Sequence, residues 1–184
     1  MNFEKERHFL INESDIDLLL VEELHSNATF RAWFLSQTDA RSGFDQPLIF
    51  VGRSISNYHG ESDVLIIHFN GDNKRRAILI ENKISATPTE LQDDRYVLRG
   101  KQGIADQTWE EFVTVLVAPQ KYLSEERMKF DHEISYEDIL EHVVGEISDE
   151  RKEFKRQILA AAISRSKKPW APKVDPFITK WFSE

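Results

Sequence analysis

Two neighbouring stretches decide the fold: Gly60-Glu61-Ser62-Asp63-Val64-Leu65-Ile66-Ile67 and Ala77-Ile78-Leu79-Ile80-Glu81-Asn82-Lys83. Both are short runs rich in Val, Ile and Leu, bounded by turn residues, and read as strands. Between them Asn70-Gly71-Asp72-Asn73 is a strong hairpin signal, because Gly and Asn tolerate positive φ. The two strands are therefore expected to be antiparallel neighbours. Side chains alternate between faces, so Asp63 shares a face with Glu61, Leu65 and Ile67, and Glu81 projects with Lys83. The strands run comparable distances outward from the turn, which brings Asp63 near the Glu81–Lys83 end. Holding two carboxylates and an ammonium beside a core is costly. Such a group suggests a divalent-cation site, with a structural ion pair as the plainer alternative.

Working outward, residues 47–58 read as a strand preceding this pair, with residues 62–69 and 75–82 as the second and third. Upstream, Ser14 or Asp15 can cap a helix whose apolar stripe is Ile16, Leu19, Leu20 and Leu24. Glu23 sits on or beside that stripe. Asn27 should end this helix, and Phe30, Trp33, Phe34 and Leu35 form the stripe of another. Downstream, Thr87-Pro88-Thr89-Glu90 has the form of a capping box with Pro at the first helical position. That helix is expected to reach about Leu98 and stop at Gly100. Gln92 and Tyr96 share one face of it, with Arg95 adjacent. Glu111 to Ala118 is a β-branched run closed by Pro119, a buried strand. Helical segments are expected near 120–128, 135–144 and 149–165, with Asp131-His132-Glu133 capping one of them.

The 184 residues favour one domain with one sizeable core, and no linker, repeat or low-complexity tract divides them. No apolar run is long enough to cross a membrane, and the N-terminus lacks the apolar segment of a secretory signal. Cys is absent, which removes disulfides, thiolate metal sites and cysteine nucleophiles and fits a cytoplasmic setting. The six His lack zinc-ligand spacing, and neither a Gly-x-Ser-x-Gly elbow nor a Gly-rich phosphate loop is present. The net charge of −8 is unevenly spread: residues 151–184 carry +6 and residues 1–150 carry −14. Arg151, Lys152, Lys155 and Arg156 are thus either a phosphate-contacting surface or a solvated helix face. The tail aromatics Trp170, Phe177, Trp181 and Phe182 have two readings: a cover over the domain's own core, which is favoured, or an interface with a second copy or a partner subunit.

The ordered set of Asp63, Glu81-Asn82-Lys83, Gln92 and Tyr96 on strand, strand and helix resembles the PD-(D/E)xK nuclease superfamily, which includes restriction-type and RecB-like nucleases. Glu23-Leu24-His25-Ser26-Asn27-Ala28-Thr29-Phe30-Arg31-Ala32-Trp33 also resembles the Glu-bearing first helix of several such families. The likeness covers about residues 13–118, leaving a helical extension over about 119–184. Ser62 stands where the motif name has Pro. The resemblance implies an α/β fold with a restriction-endonuclease-like core (αβββαβ), its mixed central sheet flanked by helices, with extra C-terminal helices. It further implies a Mg²⁺-dependent nuclease, with Mn²⁺ able to substitute, acting on nucleic acid and foremost on DNA, in restriction, repair or phage defence. Asp63 and Glu81 would be metal ligands, joined by the backbone carbonyl of Asn82, and Glu23 would bind a second ion or a metal water. Lys83 would orient or activate the attacking water. Gln92 and Tyr96 would align the scissile strand or steady Lys83, and Arg95 would contact a phosphate. The alternative is a non-catalytic nucleic-acid-binding or protein-interaction module on the same fold.

Overall fold

The computed structural model describes residues 10–38, 48–87, 91–125, 128–143 and 149–167. In chain order these form α1 (Glu13–Ser26), α2 (Ala28–Ser36), β1 (Leu48–Asn57), β2 (Gly60–Phe69), β3 (Arg75–Asn82), α3 (Gln92–Ala105), β4 (Glu111–Ala118), α4 (Gln120–Glu125), β5 (His132–Ser135), α5 (Tyr136–His142) and α6 (Asp149–Ser166). The strands make one open five-stranded sheet in the order β1-β2-β3-β4-β5. β1, β2 and β3 form an antiparallel meander, and β4 and β5 join parallel to β3. The parallel step from β3 to β4 is carried by α3, as a parallel pair requires a crossover. The protein is thus an α/β fold with a mixed sheet flanked by helices.

Strand alternation divides the interior in two. Val64, Ile66, Ile78, Ile80, Val115 and Val117 point to one face and pack with buried side chains of α1, α2, α5 and α6. Leu65, Ile67, Ala77 and Leu79 point to the other and meet Tyr96 of α3 and Trp109. Because both faces of β3 are covered, that strand is buried along nearly its whole length. A fully apolar strand can end only where polar partners are available, and the polar end of β3 is where Glu81 and Asn82 lie.

Local chemistry sets the helix bounds. The cap of α1 is Asn12 rather than Ser14 or Asp15. Its side chain accepts from the Asp15 N–H at 3.2 Å while the Asp15 carboxylate accepts from the Asn12 N–H at 2.9 Å, a reciprocal capping box. Asn27 ends α1, as expected, and also caps α2 through its bond from Phe30 N–H. The helix α3 does not stop at Gly100 but runs five residues further, to Ala105. Its glycines serve close packing instead: a Cβ at Gly100 would overlap the Phe112 ring, and one at Gly103 the Trp109 ring. The expected cap at Thr87 is not the one α3 uses, since the helix begins at Gln92 with Leu91 at its N-cap and no side-chain cap bond; residues 88–90, like Trp170, Phe177, Trp181 and Phe182, lie outside the described residues.

The segment around Asp131 is also corrected. His132–Ser135 is the short strand β5 rather than a cap, and Asp131 is its anchor. The Asp131 carboxylate accepts from Thr114 N–H at 2.8 Å and from the Thr114 hydroxyl at 3.0 Å, stitching β5 to β4. Among the described residues no helix is long and apolar enough to cross a membrane.

Candidate functional site

The register of the β2–β3 hairpin pairs Val64 with Ile80, so Asp63 and Glu81 follow as neighbours at the sheet end. Both leave the sheet on the α3 face, by the alternation that sends Leu65 and Leu79 there. Glu81 is 2% exposed. Its Oε1 takes two donors: Lys83 Nζ at 2.6 Å and Gln92 Nε2 at 2.5 Å. Gln92 is the first residue of α3, so the start of the crossover helix closes directly over the end of the strand it follows.

One turn along α3, Tyr96 is buried and donates its hydroxyl to the Ile80 carbonyl at 3.0 Å. The same hydroxyl lies 3.4 Å from the Asp63 N–H. Arg99, one turn further, stacks its guanidinium 3.8 Å from the Tyr96 ring centroid. Arg95 lies on the same helix and is exposed. Gln92, Tyr96, Asp63, Glu81 and Lys83 are therefore brought together as their spacing suggested.

The electrostatics reflect crowding of negative charge. Burial raises the Asp63 carboxyl to about 7, and the adjacent Glu81 charge adds to the shift. The opposing influence is the Asn82 N–H, which donates to Asp63 Oδ2 at 2.7 Å. Burial lowers the Lys83 ammonium, but the Glu81 charge and hydrogen bond outweigh it, so Lys83 ends above its ordinary value. Burial, followed by the Glu81 and Asp63 charges, holds the Tyr96 hydroxyl well above its ordinary value. At neutral pH the site thus contains a cationic Lys83, a neutral Tyr96 and an Asp63 that holds its proton more tightly than an ordinary carboxyl.

Asn82 carries a second function within this end. Its side chain points to the opposite face, where Nδ2 donates at 2.8 Å to both the Glu13 carbonyl and Asp17 Oδ1. Its Oδ1 accepts from the buried Tyr136 hydroxyl at 2.5 Å. Asn82 therefore fixes the strand end against α1 and α5 with its amide while its backbone N–H holds Asp63. Asp17 joins the same electrostatic group. Burial raises it to about 6, the Asn82 bond and Arg53 oppose, and Glu13 and Glu81 add to the rise.

Glu23 is not brought to this end. It is fully buried, accepts from Asn27 Nδ2 at 2.8 Å, and pairs with Lys155 of α6. Six residues beyond Asp17, it stands about 9 Å further along α1. Lys155 also pairs with Glu22, as does Arg151. Those two cations of the C-terminal third dock α6 to α1, Lys155 buried and Arg151 still exposed. The α1 carboxylates that approach this end are Asp17, beside Asp63 and Glu81, and Glu13, whose Oε1 accepts from the Ile84 N–H at 3.0 Å. The signal was present in the sequence: Asp17, Leu20 and Leu24 fall at i, i+3 and i+7, a carboxylate within an apolar stripe. Nothing in the sequence marked Tyr136 as a partner of Asn82.

Among the described residues no group of three or more His, Asp or Glu is gathered closely enough to hold a metal ion by protein ligands alone. The donor set at the sheet end is nevertheless of hard oxygens. Asp63 uses one carboxylate oxygen for Asn82, and burial first, then the Glu81 charge, raises its pKa. Mg²⁺ is commonly held by one or two carboxylates with waters and substrate phosphates completing the shell, and Asp63 with Glu81 fits that demand. Comparison with protein-family models, with curated proteins and with solved structures finds no match to this chain.

Proposed function

We propose that this protein is a metal-dependent nuclease of the PD-(D/E)xK type, hydrolysing phosphodiester bonds in DNA. The observation that carries the reading is the convergence of Asp63, Glu81 and Lys83 at one sheet end, with Gln92 of α3 bonded to Glu81. The order of α1, β1–β3, α3 and β4 is the order a restriction-endonuclease-like core would have, which supports the same reading. Asp63 and Glu81 would hold Mg²⁺, with Mn²⁺ able to replace it. When bound, the cation supplies charge opposite the phosphoryl oxygens and an acidified water.

This chain's own residues supply position and countercharge. Lys83 is held at Glu81 as an ammonium, placed to hydrogen-bond a water or a phosphate oxygen and to offset charge developing there. Gln92 fixes the Glu81 carboxylate, and Tyr96 fixes the backbone on which Asp63 and Glu81 sit. Arg95, exposed on α3, offers a cation for a flanking phosphate. Asp17, rather than Glu23, would be the first-helix carboxylate behind the pair, and its electrostatic influence on Asp63 supports that role.

The rival, a binding module without catalysis on the same fold, is favoured by the lack of a gathered three-donor group among the described residues. A titration with Mg²⁺ and Mn²⁺, read by calorimetry and by melting temperature, separates the two. The nuclease reading expects saturable binding that Asp63→Ala removes. Melting of parent and Asp63→Ala that neither cation shifts, with no heat of binding in either, supports the module instead.

A further inference from the structure

The two-residue turn between β1 and β2, Tyr58-His59, stands at the same end of the sheet as the candidate site. From Gly60 at the turn to Asp63 is three residues of strand, about 10 Å. Tyr58 is 96% exposed, the most exposed of the large apolar side chains among the described residues. Its ring therefore contributes almost nothing to the core. The turn that carries it is nonetheless fixed. The His59 N–H donates to Asn57 Oδ1 at 2.9 Å, and the His59 carbonyl accepts from Arg99 Nη1 at 3.2 Å.

Gly60 is needed for this closure. Its φ of +111° suits glycine, and a Cβ there would come within 3.1 Å of the Arg99 guanidinium. Arg99 is 4% exposed and stacks on Tyr96, whose hydroxyl meets the Ile80 carbonyl beside Glu81. The turn is thus tied through Arg99 and Tyr96 to the strand ends that bear Asp63 and Glu81. The His59 ring meets Tyr58 edge-on, with centroids 5.3 Å apart and planes at 82°.

We propose that Tyr58 is a stacking platform for an unpaired base, and that the substrate presented to the sheet end is single-stranded DNA. The inference rests on the nuclease reading of Asp63, Glu81 and Lys83. The charge balance favours it. The chain carries −8 overall, and at this end Asp17, Asp63 and Glu81 are offset by Lys83, Arg53, Arg95 and Arg99, so net charge alone gives phosphates little attraction. Affinity must then come from contacts that do not depend on net charge, and base–aromatic stacking is such a contact. In a duplex the base faces are already stacked on each other, so a protruding ring selects unpaired bases.

The test is fluorescence anisotropy of labelled oligodeoxythymidine and of a blunt DNA duplex, in EDTA, with the full chain. The expected result is tighter binding of the single strand, weakened about tenfold by Tyr58→Ala and changed less than about twofold by Tyr58→Phe or Tyr58→Trp. Tyr58→Ala should melt with the parent, since the ring is exposed. Parent-like affinity in Tyr58→Ala, equal binding of the duplex, or no binding by the parent would overturn the proposal. Parallel cleavage assays separate it from its premise. Metal-dependent cleavage with single-strand affinity unaffected by Tyr58→Ala sinks the platform and keeps the nuclease. Tyr58-dependent affinity in a parent that cuts nothing keeps the platform and sinks the nuclease.

Discussion

Replacing Lys155 by Met should destabilise this protein severely, although the side chain lies on the last described helix, far in sequence from the sheet. Lys155 is 5% exposed and serves two carboxylates, Glu23 and Glu22. Glu23 is fully buried, and among the described residues Asn27 is the polar partner its side chain keeps without Lys155. Breaking one side of a buried ion pair costs about 3–5 kcal/mol, because the other charge is left without compensation. For a chain of this size each kcal/mol lowers the melting temperature by about 2–4 °C, so the loss should be about 6–20 °C. The double variant Glu23→Gln with Lys155→Met removes the stranded charge while leaving an oxygen for Asn27. It should recover about 1–3 kcal/mol relative to Lys155→Met alone. Urea unfolding of parent, both single variants and the double variant measures this coupling. A Lys155→Met protein melting within about 2 °C of the parent, or a double variant no more stable than Lys155→Met, would refute the reasoning. The same set addresses Glu23 directly: as a structural residue, its Gln variant should retain parent-like cleavage, whereas a ligand for a second ion should not tolerate the change.

Other consequences follow from the site and its supports. Asp63 titrates near 3.8 in the unfolded chain and near 7 when folded, so its protonated form contributes stability that is full below 3.8 and is lost as pH rises through about 7. The gap sets a ceiling of about 4 kcal/mol, and shared repulsion with Glu81 reduces the expected effect to about 1–2 kcal/mol. Asp63→Asn should therefore melt above the parent at pH 8 in EDTA and close to it at pH 5; a lower melting point at pH 8 would contradict this. Asn82→Leu removes three buried side-chain hydrogen bonds, to Glu13, Asp17 and Tyr136, and should cost about 3 kcal/mol in urea unfolding. Gly103→Ala should lose about 1–3 kcal/mol because its Cβ would overlap the Trp109 ring, reversing the usual gain of Ala over Gly within a helix; a stabilised Gly103→Ala would show that the helix α3 can move off β4.

Much of the fold was legible because it is encoded locally. The hairpin of β2 and β3 follows from two apolar runs and an Asn-Gly-Asp-Asn turn, and its register sets Asp63 beside Glu81. Strand β4 was equally plain, being an unbroken β-branched run. What failed locally was decided by distant partners. Gly100 reads as a helix stop, yet α3 continues because Phe112 occupies the space a side chain would need. β5 is four residues long, with His132 and Glu133 at its start, and exists by pairing with β4. The helical spacing sets Glu23 beside the buried stripe of α1, but its role depends on Lys155, 132 residues away. Asp17 and Asn82 show the same limit. Each is an ordinary polar residue in the sequence, and their shared hydrogen bond arises only when α1 packs over the end of β3.

The most direct test of the nuclease reading is Mg²⁺-dependent cleavage of supercoiled plasmid and of labelled single-stranded DNA by the parent and by Lys83→Ala. Lys83 pairs with the buried Glu81, which keeps its Gln92 bond when Lys83 is lost, so the melting temperature of Lys83→Ala is measured beside its cleavage. The account predicts cleavage by the parent, none without a divalent cation, and near-complete loss in a folded Lys83→Ala protein. A parent that leaves both DNAs intact in Mg²⁺ and Mn²⁺, or a Lys83→Ala protein that cuts as well as the parent, would contradict it.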